Sequence, residues 1–296
     1  MASRFSDNGF LMMMGACVFF AIFDGLTKHL TNSCTPGQIA VVRFAFGAVV
    51  MFPTLFREKL WQSSRDFSLL VLRGVLGAGT FYVTLLAFKM GTLSVTMVLF
   101  FTNPLWSLFL SAYFLDEPLT WRRVAGVASA ILGIGVLINP LGEGVSVSHF
   151  LGIAAGMMGG GNNVLTRHLR SRHSARVIYA FQCLVGVICT LPMVVGHLDA
   201  PGVSSGFLLL VAAVFGLLGQ VTMNHGFRYI AASEGGMLLM FEAILTSALG
   251  IVLFREPLTL HFVVGSTMIL GSGIYLGWRQ DKNVVGIDGD SLSVSE

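Results

Sequence analysis

The amino-acid sequence predicts an all-α integral membrane protein, with ten transmembrane helices in two inverted five-helix repeats. The chain of 296 residues is 54% hydrophobic and only 11% charged, whereas a soluble domain carries about 25% charged residues. Ten apolar stretches each approach the roughly 20 residues that cross a bilayer. A constant offset of 139 residues aligns the first five stretches with the last five.

Short connections separate the ten stretches, so no segment is long enough to form a separate soluble domain. The predicted spans are 9–29, 37–56, 67–88, 93–114, 121–139, 149–167, 175–195, 205–228, 234–254 and 260–278. The first stretch resembles a signal peptide in length, but it contains Asp24 and no small-residue cleavage site follows it. The predicted units are a first repeat (1–139), an outer linker (140–148), a second repeat (149–279) and a disordered cytoplasmic tail (280–296).

The repeat is visible in the residues themselves as well as in their hydrophobicity. The tetrapeptide EPLT occurs at 117–120 and again at 256–259. The same offset places LTKHL (26–30) on LTRHL (165–169). Many matches in one register indicate an internal duplication.

Charge predicts the orientation of each repeat. Because each repeat has an odd number of spans, the second must enter the membrane from the opposite side. Lys and Arg accumulate in cytoplasmic loops. They occur at 57–65 and 122–123 but not at the equivalent positions of the second repeat, which has three arginines at 170–176 instead. Both termini are therefore predicted to be cytoplasmic.

Several function classes lack their sequence signals. No Lys/Arg-rich run indicates nucleic-acid binding, and no GxxxxGK[ST] motif indicates an ATPase. The four cysteines have no metal-ligand spacing and indicate no disulfide framework. We predict no cofactor and no metal. The predicted partners are a small-molecule substrate and the lipid bilayer, and a monomer and a homodimer both stay open.

Three segments resemble the drug/metabolite transporter superfamily of the EamA type. The family's opening is similar to FFAIFDGLTKHLTNSCTPGQIAVVRFAFGAVVMFP, with Lys28 late in span 1 and Arg43 early in span 2. Its span 4–5 signature resembles FFTNPLWSLFLSAYFLDEPLTWRRVAGVASAILGIGVLI. The second copy of that signature is similar to LLMFEAILTSALGIVLFREPLTLHFVVGSTMILGSGIYLG, although Ala243 stands where the family often has proline after the glutamate.

The resemblance covers residues 9–279 and implies a transporter of small metabolites in the bacterial cytoplasmic (inner) membrane. Export is the most frequent activity in the family, and amino-acid-like or amphipathic compounds are the predicted substrates. An importer of a vitamin or nucleoside-like cofactor has the same fold and is the alternative. A membrane-embedded enzyme is a remote third class, because it would need a His/Asp/Glu cluster that the sequence does not show.

Polar groups that break the symmetry of the two repeats are the main candidate site residues, because such groups are expensive inside a membrane and the fold of the other repeat does without them. The first repeat adds an aromatic set, Phe81, Tyr82, Phe100 and Trp106. The predicted substrate-binding residues are Glu242, Asn224, Gln220, Asn163, Asn162, Tyr82, Phe81, Asn103, Trp106 and Thr246. Proton coupling is assigned to Glu242, with His225 and Asp24 as further candidates. Ordinary packing is the alternative for Trp106, and a helix–helix hydrogen bond is the alternative for His225.

Other polar residues are predicted to support the fold. Asp24 and Lys28 are one helical turn apart and are predicted to form an ion pair that also reaches Arg43. The two EPLT copies, with the residues Glu117, Pro118, Glu256 and Pro257, are predicted to be structural, since acid before proline suits a helix start. Proton handling by these glutamates is the alternative. The GxxxGxxxG run at 152–160 predicts close helix packing, with a locally loosened helix as the alternative.

Overall fold

The computed structural model describes residues 7–57, 64–103, 105–107, 110, 121–138, 144–170, 172–195, 202–226 and 232–288. Regular structure within these ranges is helical, without strands, so the all-α prediction is confirmed. The helices are α1 (Asp7–Leu30), α2 (Pro36–Arg57), α3 (Ser64–Met90), α4 (Leu93–Phe100), α5 (Trp121–Ile138), α6 (Val147–Arg170), α7 (Ala175–Thr190), α8 (Val203–Gly226), α9 (Ala232–Phe254) and α10 (Leu260–Asp288). A four-residue helix, Pro192–Val195, follows α7.

Five helices in the described part of the chain are long and apolar enough to cross a membrane. They contain the segments Gly9–Leu30, Pro36–Pro53, Asp66–Met90, Arg176–Val194 and Val203–Met223. Shorter apolar segments are Leu93–Ser107, Ala128–Ile138, Leu238–Phe254 and Leu260–Ser272. These lengths agree with a multi-pass membrane protein, and the count of ten spans stays a prediction.

At the chain end, α10 continues to Asp288. It thus runs into the segment 280–296, for which a disordered cytoplasmic tail stays a prediction. Residues 289–296 lie outside the described ranges.

The helices of the two repeats interlock. Helix α1 packs against α8 and α9 of the second repeat, and α6 packs against α3 and α4 of the first. The offset of 139 residues converts the first set of contacts into the second. Helix α2 packs against its own equivalent α7, and α5 against its equivalent α10. Each repeat therefore completes its packing with helices of the other one.

Side-chain contacts assign the loops to two ends of the bundle. At one end, Ser205 donates to Ser33 at 3.3 Å, and Lys28 donates to the backbone oxygen of Gly91. We call this the Lys28 end. At the other end, Arg172 forms a salt bridge of 2.9 Å with Asp66. This Asp66 end joins the start of α3 to the connection between α6 and α7.

The glycine run in α6 brings that helix against α4 and the residues that follow it. A Cβ atom on Gly156 would lie 2.6 Å from Thr102 Oγ1, and one on Gly160 would lie 2.8 Å from the backbone oxygen of Asn103. Small residues allow such close contact between helices in lipid. Because α6 is continuous from Val147 to Arg170, close packing describes the run and the alternative of a loosened helix is wrong.

The helix break lies in α4. This helix ends at Phe100, and Pro104 cannot donate the backbone hydrogen bond that the oxygen of Phe100 would otherwise accept. Asn103 Nδ2 donates to that oxygen at 3.2 Å. The equivalent of Pro104 is Ala243, and α9 is unbroken there. The two copies of this span therefore differ in shape as well as in charge.

Candidate functional site

Two carboxylates lie deep in the bundle where α1 packs against α9. Asp24 is 7% exposed and Glu242 is 9% exposed. The Asp24 carboxylate lies within electrostatic range of Glu242, and we call these two residues the acidic pair. Thr246, one turn after Glu242 on α9, donates from Oγ1 to Asp24 Oδ2 at 3.4 Å. The structure thus brings together three residues that the sequence analysis had placed in the site.

Arg43 of α2 lies between two aromatic rings beside the acidic pair. Its Cζ atom is 4.4 Å from the ring centroid of Phe23 and 4.0 Å from that of Phe81. Cations over aromatic faces are attracted by the ring electrons. Asp24 and Glu242 both act electrostatically on the guanidinium. The predicted contact between Asp24 and Arg43 is therefore electrostatic, and Phe81 holds the arginine in place.

The pseudo-equivalent contact in the other repeat carries no charge. Asn163 of α6 and Asn103, just after α4, stand at the offset positions of Asp24 and Glu242. Asn163 Nδ2 donates to Asn103 Oδ1 at 3.2 Å. Both residues were predicted to bind substrate, and here they bind each other. One interface of the bundle is thus acidic and its equivalent is an amide pair.

A second buried arginine was missed by the sequence analysis. Arg73 of α3 is 7% exposed. It donates from Nε to Thr166 Oγ1 at 3.0 Å and from Nη1 to Gln182 Oε1 at 2.6 Å. A signal was available, because Arg73 interrupts an apolar run and its equivalent position holds Ala212. The comparison of the repeats, applied to basic residues, would have found it.

The predicted ion pair between Asp24 and Lys28 is wrong. The ammonium group does not pair with Asp24 but donates to the backbone oxygens of Phe88 and Gly91. These oxygens lie at the end of α3, where helix carbonyls lack partners within the helix. The flexible lysine stem at the end of α1 reaches that carbonyl group, whereas Asp24 points toward α9. Lys28 therefore joins α1 to the α3–α4 turn.

The Glu256 carboxylate binds the start of α4, although Glu256 itself precedes α10 in the chain. Its carboxylate accepts from the backbone N–H groups of Leu93 at 2.5 Å and Ser94 at 2.9 Å, and from the Ser94 hydroxyl. Acids stabilise helix N-termini because of the unpaired N–H groups there. The sequence predicted that Glu256 stabilises the start of α10, which follows it, whereas its carboxylate lies at the start of α4. Pro257 is exposed beside it, and Glu117 and Pro118 lie outside the described residues.

The remaining candidates are dispersed. His225 is exposed, and its Nδ1 lies 2.9 Å from the backbone oxygen of Val221 in its own helix. Trp106 donates from Nε1 to Thr102 Oγ1 at 3.2 Å, which agrees with a packing role. Asn162 has a buried Oδ1 atom without a partner among the described residues. Gln220 and Tyr82 are half-buried, and the side chain of Asn224 lies outside the described part.

A cavity of about 260 Å³ lies at the Lys28 end, away from the acidic pair. Its walls include the α3–α4 turn, the start of α6 and the segment from Glu256 to Phe262. The described residues contain no group of three His, Cys, Asp or Glu side chains that could hold a metal ion. The central arrangement offers charge and hydrogen bonds for binding, without a nucleophile–base pair.

Comparison with known proteins gives consistent matches along the chain. A model of the EamA-like transporter family matches residues 7–139 and again 146–277. The pseudopaline exporter of Pseudomonas aeruginosa is 22% identical over 91% of this chain and 95% of its own length. The S-adenosylmethionine uptake transporter of Rickettsia prowazekii is 19% identical over 94% and 95%. The riboflavin transporter of Brucella anthropi is 24% identical over 91% and 98%.

A solved crystal structure is similar in fold. It matches 92% of this chain and 98% of its own, with a TM-score of 0.61 and 19% sequence identity. At this identity the match concerns the fold alone.

Proposed function

The chain belongs to the EamA-like transporter family, and from this premise we propose that it exports amino-acid-like or amphipathic metabolites across the cytoplasmic membrane. Its activity is transport and not enzymatic catalysis, and it is a multi-pass bacterial membrane protein. Substrate class, direction and mechanism are the proposed part. The mechanism is alternating access to one central site without ATP hydrolysis.

The buried acidic pair is the observation that carries the substrate class. Carboxylates inside a membrane are maintained at a cost of about 2.5–3.5 kcal/mol each. The fold does not need them, because asparagines fill the equivalent positions. Asp24 and Glu242 come from different repeats and interact with only one guanidinium in the described part, that of Arg43. When both acids are ionised, one negative charge is left to attract a substrate ammonium group.

Aromatic side chains support the amphipathic character of the substrate. Phe81 and Tyr82 on α3 and Phe100 at the end of α4 are half-buried among the helices that surround the acidic pair. Rings of this kind bind apolar groups by burial of surface. An ammonium group at the carboxylates and an apolar body against these rings describe one amphipathic molecule.

The packing pattern supports ten spans in two inverted repeats. Contacts of α1 with α8 and α9 recur as contacts of α6 with α3 and α4. Sites between such repeats lie near the middle of the membrane in many transporters. The basic loops at 57–65 and 170–176 support the assignment of the Asp66 end, and of both termini, to the cytoplasm.

Import is the second candidate, and names of relatives favour it. An S-adenosylmethionine uptake transporter and a riboflavin transporter match nearly the whole chain, as a pseudopaline exporter does. These names belong to the relatives. Direction therefore needs a measurement on this protein.

Directional flux tests the proposal. Metabolite profiles of cells with and without the protein would select candidate compounds, and purified protein in oriented vesicles would then be assayed for each. We expect an amino-acid-like or amphipathic compound to leave cells that contain the protein and to be depleted inside them. Accumulation of a vitamin or nucleoside-like compound inside the cells would support import and overturn the proposed export.

A further inference from the structure

We propose that Arg73 binds an anionic group of the transported molecule. The substrate is then a zwitterion, with its ammonium group at the acidic pair and its anionic group toward the Asp66 end. This inference rests on the proposed transport of amino-acid-like compounds and specifies their second charge. Neither the family match nor the names of relatives assign this residue.

The charge of Arg73 has no acidic partner in the described part of the chain. No carboxylate there lies within 4 Å of it, and its two hydrogen bonds end on a neutral hydroxyl and a neutral amide. A guanidinium has five N–H donors, so three are left over from these two bonds. A buried charge without a counterion is destabilising. An anion at Arg73 would supply the counterion that the described residues do not.

The position of Arg73 is built by three helices. Thr166 of α6 and Gln182 of α7 hold the guanidinium from two sides. Gly77, one turn after Arg73 on α3, lies so close to Gln182 that a Cβ atom would be 2.7 Å from Nε2. The glutamine amide is therefore fixed with Oε1 on the arginine. Such support is typical of a binding group and exceeds what a solvated arginine needs.

Arg73 differs from Arg43 in this respect. Arg43 lies between two aromatic rings and interacts with two carboxylates. Arg73 has neither kind of partner in the described residues. Gly47, one turn after Arg43 on α2, lies against Tyr179 and Cys183, and Arg73 donates to the neighbouring Gln182, so both arginine-bearing helices meet the same stretch of α7. The acidic pair with Arg43 carries one negative charge when ionised, and Arg73 carries one positive charge nearby.

The positions of Glu242 and Arg73 along their helices show which of the two charges lies nearer to each end of the bundle. Helices α3 and α9 both end at the Lys28 end of the bundle. At about 1.5 Å per residue, Glu242 lies roughly 18 Å from the end of α9 and Arg73 roughly 26 Å from the end of α3. Arg73 is thus the deeper of the two, toward the Asp66 end. A zwitterion bound between the two charges would therefore have its anionic group toward the Asp66 end.

The fold of the other repeat does not require an arginine here. Ala212 occupies the equivalent position in α8. Gln182, which Arg73 binds, is itself the equivalent of Arg43. Both of these arginines are in the first repeat, and the equivalent positions of the second repeat are neutral. Arg73 therefore breaks the pseudo-symmetry in the same way as Glu242 does.

Three probes with one phenyl group and different charges test the assignment. They are L-phenylalanine (zwitterion), phenethylamine (cation) and 3-phenylpropanoate (anion). Their equilibrium binding to the purified full-length protein in detergent would be compared for wild type, Arg73→Gln, Arg73→Lys and Glu242→Gln. Thermal unfolding of each variant would verify that it is folded.

For wild type we expect phenylalanine to bind at least about tenfold more tightly than phenethylamine, as one charge-assisted hydrogen bond implies. In Arg73→Gln, the affinity for phenylalanine should fall to about that for phenethylamine, which should itself be unchanged. Arg73→Lys should retain part of the preference for phenylalanine. Glu242→Gln should weaken phenylalanine and phenethylamine but not 3-phenylpropanoate.

Equal affinity of wild type for phenylalanine and phenethylamine would overturn the role of Arg73 and leave the proposed function intact, and this comparison needs no variant. An unchanged ratio in folded Arg73→Gln would do the same. Failure of wild type to bind any of the three probes would overturn the amino-acid-like substrate class itself, and the assignment of Arg73 with it.

Discussion

Two contacts in the bundle stand at equivalent positions and have opposite chemistry. Asp24 and Glu242 join α1 to α9, whereas Asn163 and Asn103 join α6 to the end of α4. The amide pair satisfies itself with a hydrogen bond of 3.2 Å. Two ionised carboxylates repel each other and need a proton or a cation. Under the proposed function, the amide pair closes the bundle and the acidic pair binds the substrate.

The same comparison explains the local helix shape. On the amide side, α4 ends at Phe100, and Asn103 donates to the backbone oxygen of Phe100 and accepts from Asn163. On the acidic side, Ala243 lets α9 continue, and its small side chain is fully buried. Glu242 is therefore carried by an unbroken helix.

Neutralising Glu242 should have the largest effect. Glu242→Gln removes the charge that has no counterpart in the other repeat, and we expect flux to fall by about two orders of magnitude or more. Folding should be retained, because the equivalent residue is a neutral amide. Proteoliposome flux and thermal unfolding of the same preparation would measure both. Normal flux with normal pH dependence would remove Glu242 from substrate binding and from proton coupling.

Cysteine labelling tests whether the two repeats have inverted orientations in the membrane. Ser64 and Val203 are the first residues of α3 and α8 and are equivalent at the offset. In a background without the four native cysteines, an impermeant thiol reagent should label Val203→Cys in intact cells and Ser64→Cys only after permeabilisation. Labelling of both variants from the same side would show parallel repeats and end the comparison.

A smaller effect is expected at the Lys28 end. Glu256→Ala removes the acceptor for two backbone N–H groups and one hydroxyl at the start of α4, which should lower the free energy of unfolding by about 1–3 kcal/mol. Flux per folded molecule should not change. Glu117→Ala, at the equivalent position, is the matched variant and should also lower stability. Reduced flux at unchanged stability would favour the alternative that these glutamates handle protons.

Much of this comparison could be predicted from the sequence, because it depends on periodicity and register. The helices follow from apolar runs, and Glu242, Asn103 and Asn163 follow from the repeat offset. The partner of each side chain could not be predicted. Lys28 and Glu256 both bind backbone atoms of the α3–α4 turn, and such contacts between helices distant in sequence leave no local signal.

The smallest expected effect on substrate affinity is that of a substitution at Thr246, the residue that donates to the acidic pair. Thr246→Val keeps the shape but removes the hydroxyl that donates to Asp24 at 3.4 Å. Loss of one such long bond should weaken apparent substrate affinity by about two- to fivefold. The equivalent Ser107 donates instead to the backbone oxygen of Gly160, between α6 and the segment after α4. Ser107→Ala should therefore lower thermal stability and leave affinity unchanged. If both variants changed stability alone, Thr246 would belong to the packing of α9, and the acidic pair would act without it.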